Sequence, residues 1–288
     1  MQLNDFDTSQ RYVANVLHSQ RLTPNDADEV RELILALPSH APDCAVGHCV
    51  GLIVPGNPAT DNPVSGQREH FRLYTVAGLE RDATHERRLR LLVKRCHYLD
   101  PYSGEHYPGV ASNYWCDRKP GDVVTLCGPY GLPFTLPTDT QANILMIGMG
   151  TGIAPFRALV QQMYATYNGW QGQVRLFYGA QSGLELAYMN DERNDFAQYY
   201  DRATFKAFQV VSARPGWTNT PNFTASFEQQ REAIWPLLNS DIYVYVAGLA
   251  SIYRALNDAL GKLAGSVDKW DTLKQRLVAT KRWTELIY

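Results

Sequence analysis

Between Ile147 and Phe156 the chain reads Gly148-Met149-Gly150-Thr151-Gly152-Ile153-Ala154-Pro155, a glycine-rich turn joining an apolar run to a helical pattern. Glycines let the backbone approach a ligand closely, and the first turn of a helix offers N–H groups that suit a pyrophosphate. Pro155 fits that first turn, where no N–H donor is required. The chemistry indicated is nucleotide binding, and a tight turn without a ligand is the plain alternative. A second feature is charge. Arg81, Arg87, Arg88, Arg90, Lys94 and Arg95 fall within fifteen residues of a chain whose formal net charge is -2. Such a cluster suits docking of an acidic protein and would act mainly on encounter rate. A solvated strand face explains it equally well.

The cysteines narrow the redox options. Cys44, Cys49, Cys96, Cys116 and Cys127 all lie in the first half, and no two of them form a C-x-x-C pair. An odd number without paired spacing argues against a disulfide framework, a zinc ribbon or a built-in iron–sulfur cluster. The balance of 27 Lys and Arg against 29 Asp and Glu gives no reason to expect nucleic acid or an anionic membrane as partner. No apolar run reaches the ~18 residues of a membrane span, and Met1 to Gln10 is polar and unlike a secretory signal. A cytoplasmic location is the expectation.

Two kinds of element must position these groups. From Arg11 to about Pro133, short strands are broken by turn formers: Arg11–Leu17, Val30–Leu37, Cys49–Val54, His70–Ala77, Arg88–Tyr98 and Val123–Leu126. This predicts an antiparallel β-barrel. Within it, Leu89, Leu91 and Val93 alternate with Arg88, Arg90 and Lys94, which reads as a half-buried strand with a basic outer face. After Leu136-Pro137-Thr138-Asp139-Thr140 the pattern changes. Strands are expected at Asn143–Gly148, Val174–Gly179, Ala207–Ser212 and Ile242–Gly248, with helices at Pro155–Tyr167, near Tyr188–Tyr199 and at Ser251–Ala264. Alternation at this spacing predicts an α/β domain with a doubly wound parallel sheet. The expected division is residues 1–140 and 141–288.

Three segments occur in an informative order: Arg72-Leu73-Tyr74-Thr75, then Gly109-Val110-Ala111-Ser112-Asn113-Tyr114, then the glycine turn continued by Phe156-Arg157. Leu92-Val93-Lys94-Arg95 with Tyr98, Gly248-Leu249 and a final Tyr288 complete the set. Together they resemble the plant-type ferredoxin–NADP reductases, whose motifs read R-x-Y-[ST], G-V-x-S-N-[FY] and G-T-G-I-A-P-F. The resemblance implies an FAD-binding barrel, an NADP domain and the flavin between them. It implies that Arg72 pairs with the FAD pyrophosphate, as a guanidinium fork suits phosphate oxygens. Tyr74 would pack on the isoalloxazine and Thr75 would place a hydroxyl near its reactive nitrogen. Ser112, with the backbone of Gly109, Val110 and Ala111, would hold the second phosphate, and Tyr98 would stack on adenine beside Leu92, Val93 and Lys94. Leu73, Thr151 and Tyr288 would complete the FAD contacts. The nicotinamide nucleotide would meet Gly150, Thr151, Gly152, Pro155, Ala180, Gln181, Ser212, Arg214, Gly248 and Leu249.

A terminal aromatic in this family covers the flavin face where the nicotinamide must sit, so Tyr288 would have to move aside on binding. Three positions depart from the plant pattern. Ala111 and Ala247 replace cysteines, and Leu286 stands where a glutamate is usual, with Glu285 one residue earlier. A shift of one position on a strand turns a side chain to the opposite face, so a catalytic Glu285 requires a bulge. An Arg near the ribose favours NADP and an acidic residue NAD; no acidic residue lies between Ser212 and Phe227. The resemblance therefore implies hydride transfer between NADP(H) and FAD, coupled to one-electron exchange with ferredoxin or flavodoxin. The basic cluster, with Arg81, Arg87, Arg88, Arg90 and Lys94, would be the docking face. The reductase component of an oxygenase and a flavin-binding sensor are the competing readings.

Overall fold

The computed structural model describes residues 5–56, 69–81, 86–166, 170–191, 193–199, 203–213 and 220–288. They form two compact units, Met1–Pro133 and Phe134–Tyr288. The division falls before the expected 140/141 boundary because Phe134 already belongs to the second core. Its ring stacks on Phe156 at 5.7 Å and meets Tyr245 edge-on at 5.8 Å. The next carbonyl, of Thr135, accepts a hydrogen bond from the Tyr245 phenol at 2.7 Å.

In the first unit, β1 (Arg11–Arg21), β2 (Val30–Leu37), β3 (Cys49–Pro55), β4 (Glu69–Arg81), β5 (Arg87–Lys94) and β8 (Val123–Tyr130) close an antiparallel barrel in the order β1-β2-β5-β4-β3-β8. The period of two sorts each strand. On β1, Tyr12, Ala14 and Val16 are buried, while Arg11, Val13 and Asn15 face out. A short hairpin, β6 (His97–Leu99) with β7 (His106–Pro108), precedes the helix α1 (Val110–Cys116). That helix plugs the barrel with Trp115, which is fully buried and meets Tyr74 edge-on at 5.9 Å.

The expected long strand Arg88–Tyr98 is divided into β5, ending at Lys94, and β6, starting at His97, with the Arg95 amide between them donating to Glu29 O at 2.8 Å. Its guanidinium reaches Glu29 at 2.7 Å, Asn113 at 2.7 Å and Asp117 at 2.8 Å, tying the end of β5 to α1. The strand is also not a bare basic face. Arg90 lies between Glu32 (2.6 Å) and Glu80 (2.7 Å), Lys94 meets Asp28 at 2.6 Å, and Arg87 meets Asp43 at 3.0 Å. Arg81 is exposed and Arg88 half-buried. Carboxylates of neighbouring segments, distant in sequence, balance most of the cluster's charge.

The second unit holds β9 (Asn143–Met149), α2 (Ile153–Thr166), β10 (Val174–Gly179), β11 (Phe205–Val210), α3 (Phe223–Gln229), α4 (Arg231–Leu238), β12 (Ile242–Gly248), α5 (Ala250–Ala264), α6 (Val267–Ala279) and β13 (Trp283–Ile287). The strands make one parallel sheet in the order β11-β10-β9-β12-β13. The chain steps outward from β9 to β11 and then returns to the other side, so its order reverses between β9 and β12. A crevice outside the carboxyl ends of the strands is the ligand position in such sheets.

Two expectations change here. The third strand runs over Phe205–Val210, two residues earlier than Ala207–Ser212. Among the described residues of the segment Tyr188–Tyr199, a Met189–Asn194 bridge and a 3-10 turn at Ala197–Tyr199 stand in place of the expected helix. Tyr188 sits at φ 66°, outside the helical region, with its buried ring between the guanidinium groups of Arg157 (4.9 Å) and Arg193 (5.2 Å). Both cations pair with Asp195, and the Asn190 side chain accepts from the Arg193 amide at 3.0 Å. This tertiary cluster holds the loop that follows β10. Among the described residues, no helix is long and apolar enough to cross a membrane.

Candidate functional site

The second unit brings most of the anticipated nucleotide residues to one edge. Gly150–Gly152 forms a 3-10 turn between β9 and α2. A Cβ on Gly152 would lie 2.1 Å from the Ala247 carbonyl oxygen, so only glycine lets this turn press against the end of β12. Gly248 reciprocates, since a Cβ there would lie 2.5 Å from Met149 Cβ. The two glycine segments therefore interlock where the strand order reverses. Gly150 is different: at φ 58° it has nothing within 4 Å of the Cβ position, so its conformation rather than crowding favours glycine there. Pro155 is the third residue of α2, still within the turn whose N–H groups have no intrahelical acceptor.

Further along the same edge, the Ala180 amide donates to Val210 O at 3.0 Å and the Ser212 amide to Gln181 O at 3.2 Å. Leu249, the N-cap of α5, is exposed. Tyr288 is 45% exposed, and its phenol is 2.6 Å from the Thr151 hydroxyl. Its amide donates to Gly248 O at 3.1 Å and its carbonyl accepts from Ala250 N at 2.9 Å. Gly150, Thr151, Gly152, Gly248, Leu249 and Tyr288 are thus one cluster, with Ala180, Gln181 and Ser212 beside it. Arg214 lies outside the described residues.

Glu285 is not part of it. It shares a face of β13 with Trp283, which packs on Trp270 of α6 at 5.7 Å, and its carboxylate accepts from Trp283 Nε1 at 2.7 Å and from the Tyr253 phenol. No bulge interrupts the pairing of β13 with β12, so the carboxylate points to the helical side. That arrangement gives no support to a catalytic role for Glu285. The position one later, Leu286, pairs across the strands with Ala247. Two of the departures from the plant pattern are therefore neighbours, and the bed they share is apolar.

In the first unit the anticipated flavin residues gather on β4 and α1. Residues 69–75 of β4 pair with β3, while β5 pairs only with Val76–Arg81. Among the described residues, no strand therefore covers Arg72 to Thr75 on the β5 side of the barrel ladder, and none of these four residues is fully buried. That opening fits a planar, hydrogen-bonding ring system. Burial pushes the Tyr74 phenol up, so it stays protonated at neutral pH. Cys49 Sγ lies 3.9 Å from the Thr75 hydroxyl, and burial pushes the thiol up as well. Tyr98 is exposed and stacks on Tyr107 at 5.6 Å, a flat aromatic surface suited to a purine.

Other anticipated contacts are already engaged. The Ser112 hydroxyl accepts from Cys96 N at 3.1 Å and donates to Gly109 O at 3.3 Å. Lys94 is paired with Asp28, and the side chains of Leu92 and Val93 are buried. Gly109 caps α1 without a side-chain hydrogen bond, which leaves the first-turn amides of Val110 and Ala111 as the donors a phosphate would meet. Arg95 and Asn113 were not anticipated as site residues. Arg95 anchors α1, and Asn113 Nδ2 donates to Cys96 O at 3.0 Å and Gly109 O at 2.9 Å. The arginine directly after the adenine-side strand was the available signal.

Residues 146–258 match the family model described as an oxidoreductase NAD-binding domain. The leaf isozyme 1 ferredoxin–NADP reductase of rice, Oryza sativa subsp. indica, is 29% identical over 99% of this chain and 79% of its own length. The cyanelle ferredoxin–NADP reductase of Cyanophora paradoxa is 28% identical over 98% of this chain and 77% of its own. Among solved structures, the ferredoxin–NADP+ reductase of Plasmodium falciparum with 2′P-AMP superposes with a TM-score of 0.69 at 20% identity, covering 100% of this chain and 99% of that one. In its ordered motifs, its end-to-end matches and its barrel followed by a switch-point sheet, the chain is similar along its whole length to the plant-type ferredoxin–NADP reductases.

Proposed function

We propose that this protein is a flavoenzyme of ferredoxin–NADP reductase type, holding FAD on the barrel unit and NADP(H) on the sheet unit. The observation that carries the reading is the interlock of Gly152 with the end of β12 at the switch point, beside the Thr151–Tyr288 hydroxyl pair. Bound flavin supplies hydride exchange with the nicotinamide and releases electrons one at a time. The chain's own residues bind and orient. Arg72 offers a guanidinium to the flavin pyrophosphate, and the first-turn amides of α1 offer donors to the same group. Tyr98 gives the adenine a stacking surface. Gly150 to Gly152 and the start of α2 receive the nicotinamide nucleotide's pyrophosphate. Tyr288, held by Thr151, is the ring that the nicotinamide displaces, which trades affinity for release.

NADP is favoured over NAD by two considerations: no acidic residue lies between Ser212 and Phe227, and the Plasmodium structure was solved with 2′P-AMP. Ferredoxin is the electron partner by family, and flavodoxin would serve the same role through its acidic surface. An acidic carrier would find only part of the β5 cluster available, since Arg87, Arg90 and Lys94 face carboxylates of their own unit. The test is a visible spectrum followed by anaerobic titration with NADPH and NADH, then reduction of ferredoxin. A yellow protein bleached faster by NADPH, and passing electrons to ferredoxin over many turnovers, supports the reading. A yellow protein that neither nucleotide reduces refutes it and leaves the sensor.

A further inference from the structure

Among the described residues β13 is the edge strand of the sheet, paired to β12, and its last residues are fastened twice to the first turn of α5. One fastening is backbone: Ala250 N donates to Tyr288 O at 2.9 Å. The other is made of side chains. Tyr253, three residues further along α5, donates its phenol to Glu285, which also accepts from Trp283 Nε1 at 2.7 Å. Lys274 of α6 closes the cluster, 2.5 Å from the Tyr253 phenol oxygen and 3.8 Å from Glu285. Its ammonium lies over the rings of Tyr253 at 4.9 Å and Trp283 at 5.0 Å. Burial, and then the hydrogen bond to Glu285, push the Tyr253 phenol up, so it remains a donor at neutral pH.

The strand does not need this cluster to stay in place. Trp283 is buried against Trp270, Ile287 packs on the same core, and Glu285 itself is exposed. Surface ion pairs of this kind add little to global stability. What the cluster does restrict is the edge strand three residues before Tyr288, whose phenol is held at its far end by Thr151. We propose that the Tyr253–Glu285–Trp283–Lys274 cluster is a positioning device that keeps Tyr288 on Thr151 and thereby sets nucleotide affinity and the preference for NADP(H) over NAD(H). The proposal rests on Tyr288 being the ring that the nicotinamide displaces. Apparent affinity rises in proportion to the fraction of molecules whose ring is out of the way, and loosening the strap raises that fraction.

The test is calorimetric binding of NADP+ and NAD+ to the flavin-loaded protein, its Tyr253→Phe and Glu285→Gln variants, Tyr288→Ser, and the Tyr253→Phe/Tyr288→Ser double variant. Tyr253→Phe should tighten NADP+ by about threefold to tenfold, the worth of one hydrogen bond, and relax discrimination against NAD+. Glu285→Gln should follow it, with melting temperatures close to wild type, and in the Tyr288→Ser background Tyr253→Phe should add nothing. Unchanged or weaker binding by Tyr253→Phe, with Tyr288→Ser still tightening, overturns the strap and leaves the displaced-ring reading standing. An equal change in both backgrounds also overturns it, because the cluster then acts elsewhere. No effect of Tyr288→Ser overturns the displaced-ring reading and the strap with it.

Discussion

Replacing Gly152 by alanine puts a methyl group 2.1 Å from the Ala247 carbonyl oxygen, 2.4 Å from its carbon and 2.8 Å from the Gly248 nitrogen. All three are backbone atoms of β12, so no side chain can rotate away, and the turn must separate from the neighbouring strand. Overpacking a tight site costs about 1–3 kcal/mol, and contacts this short with backbone put the expected cost near 3. For a unit the size of Phe134–Tyr288, each kcal/mol lowers the melting temperature by roughly 2–4 °C, which gives a fall of roughly 6–12 °C. Gly150→Ala is the control. It meets nothing within 4 Å but must hold φ 58°, which costs about 1 kcal/mol and roughly 2–4 °C. The assay is scanning calorimetry with the two units' transitions fitted separately, since a two-unit chain need not unfold in one step. NADP+ titration should show Gly152→Ala losing the greater part of its affinity. The reasoning fails if Gly152→Ala melts within about 2 °C of wild type, or if Gly150→Ala is the more damaged of the two.

Asp195→Asn probes the loop after β10. Burial alone would raise the Asp195 carboxyl, but hydrogen bonds from Arg193 and Arg157 outweigh it and hold the group below the usual range. A depressed folded pKa contributes stability present above the unfolded value, about 3.9, and lost as pH falls through the folded one. The variant should be less stable by about 3 kcal/mol at neutral pH, with the gap narrowing below about pH 4 in urea unfolding; a gap independent of pH contradicts the assignment. Arg72→Ala should weaken FAD binding by roughly 10- to 100-fold, the worth of a charge-assisted phosphate contact, read from flavin fluorescence on dilution; unchanged retention removes Arg72 from the site. Arg90→Ala strands the buried Glu32 carboxylate and should destabilise the barrel by about 3–5 kcal/mol without altering the salt dependence of ferredoxin reduction. An unchanged barrel with a flattened salt dependence would return Arg90 to a docking role.

The legible parts of this chain were those where local pattern and global role coincide. β10 and β12 have the bounds that their largely apolar runs indicated, because a strand of a parallel sheet is buried on both faces, and β2 has the bounds set by the turn formers that flank it. The glycine turn was legible because crowding against β12 excludes every larger residue there. α6 was not anticipated, although Ser266 accepts from the Lys269 amide at 3.2 Å and Asp268 stands in the first turn, both readable start signals. The helix expected at Tyr188–Tyr199 failed because propensity has no access to Asp195, whose two cations hold that segment in another shape.

Sequence alone determined the two kinds of element, the order of the motifs and the side of the strand on which Glu285 must fall, since each follows from spacing along one chain. Only the tertiary structure decided which charges face one another. Arg90 reads as an exposed cation until Glu32 and Glu80 arrive from neighbouring strands. Ala247 and Leu286, far apart in sequence, become one apolar bed through the pairing of β12 with β13. The Ser112 hydroxyl reads as free until it is seen held by Cys96 and Gly109. The reason is common to all three: a polar group's free capacity depends on partners brought in by packing, and periodicity carries no information about them.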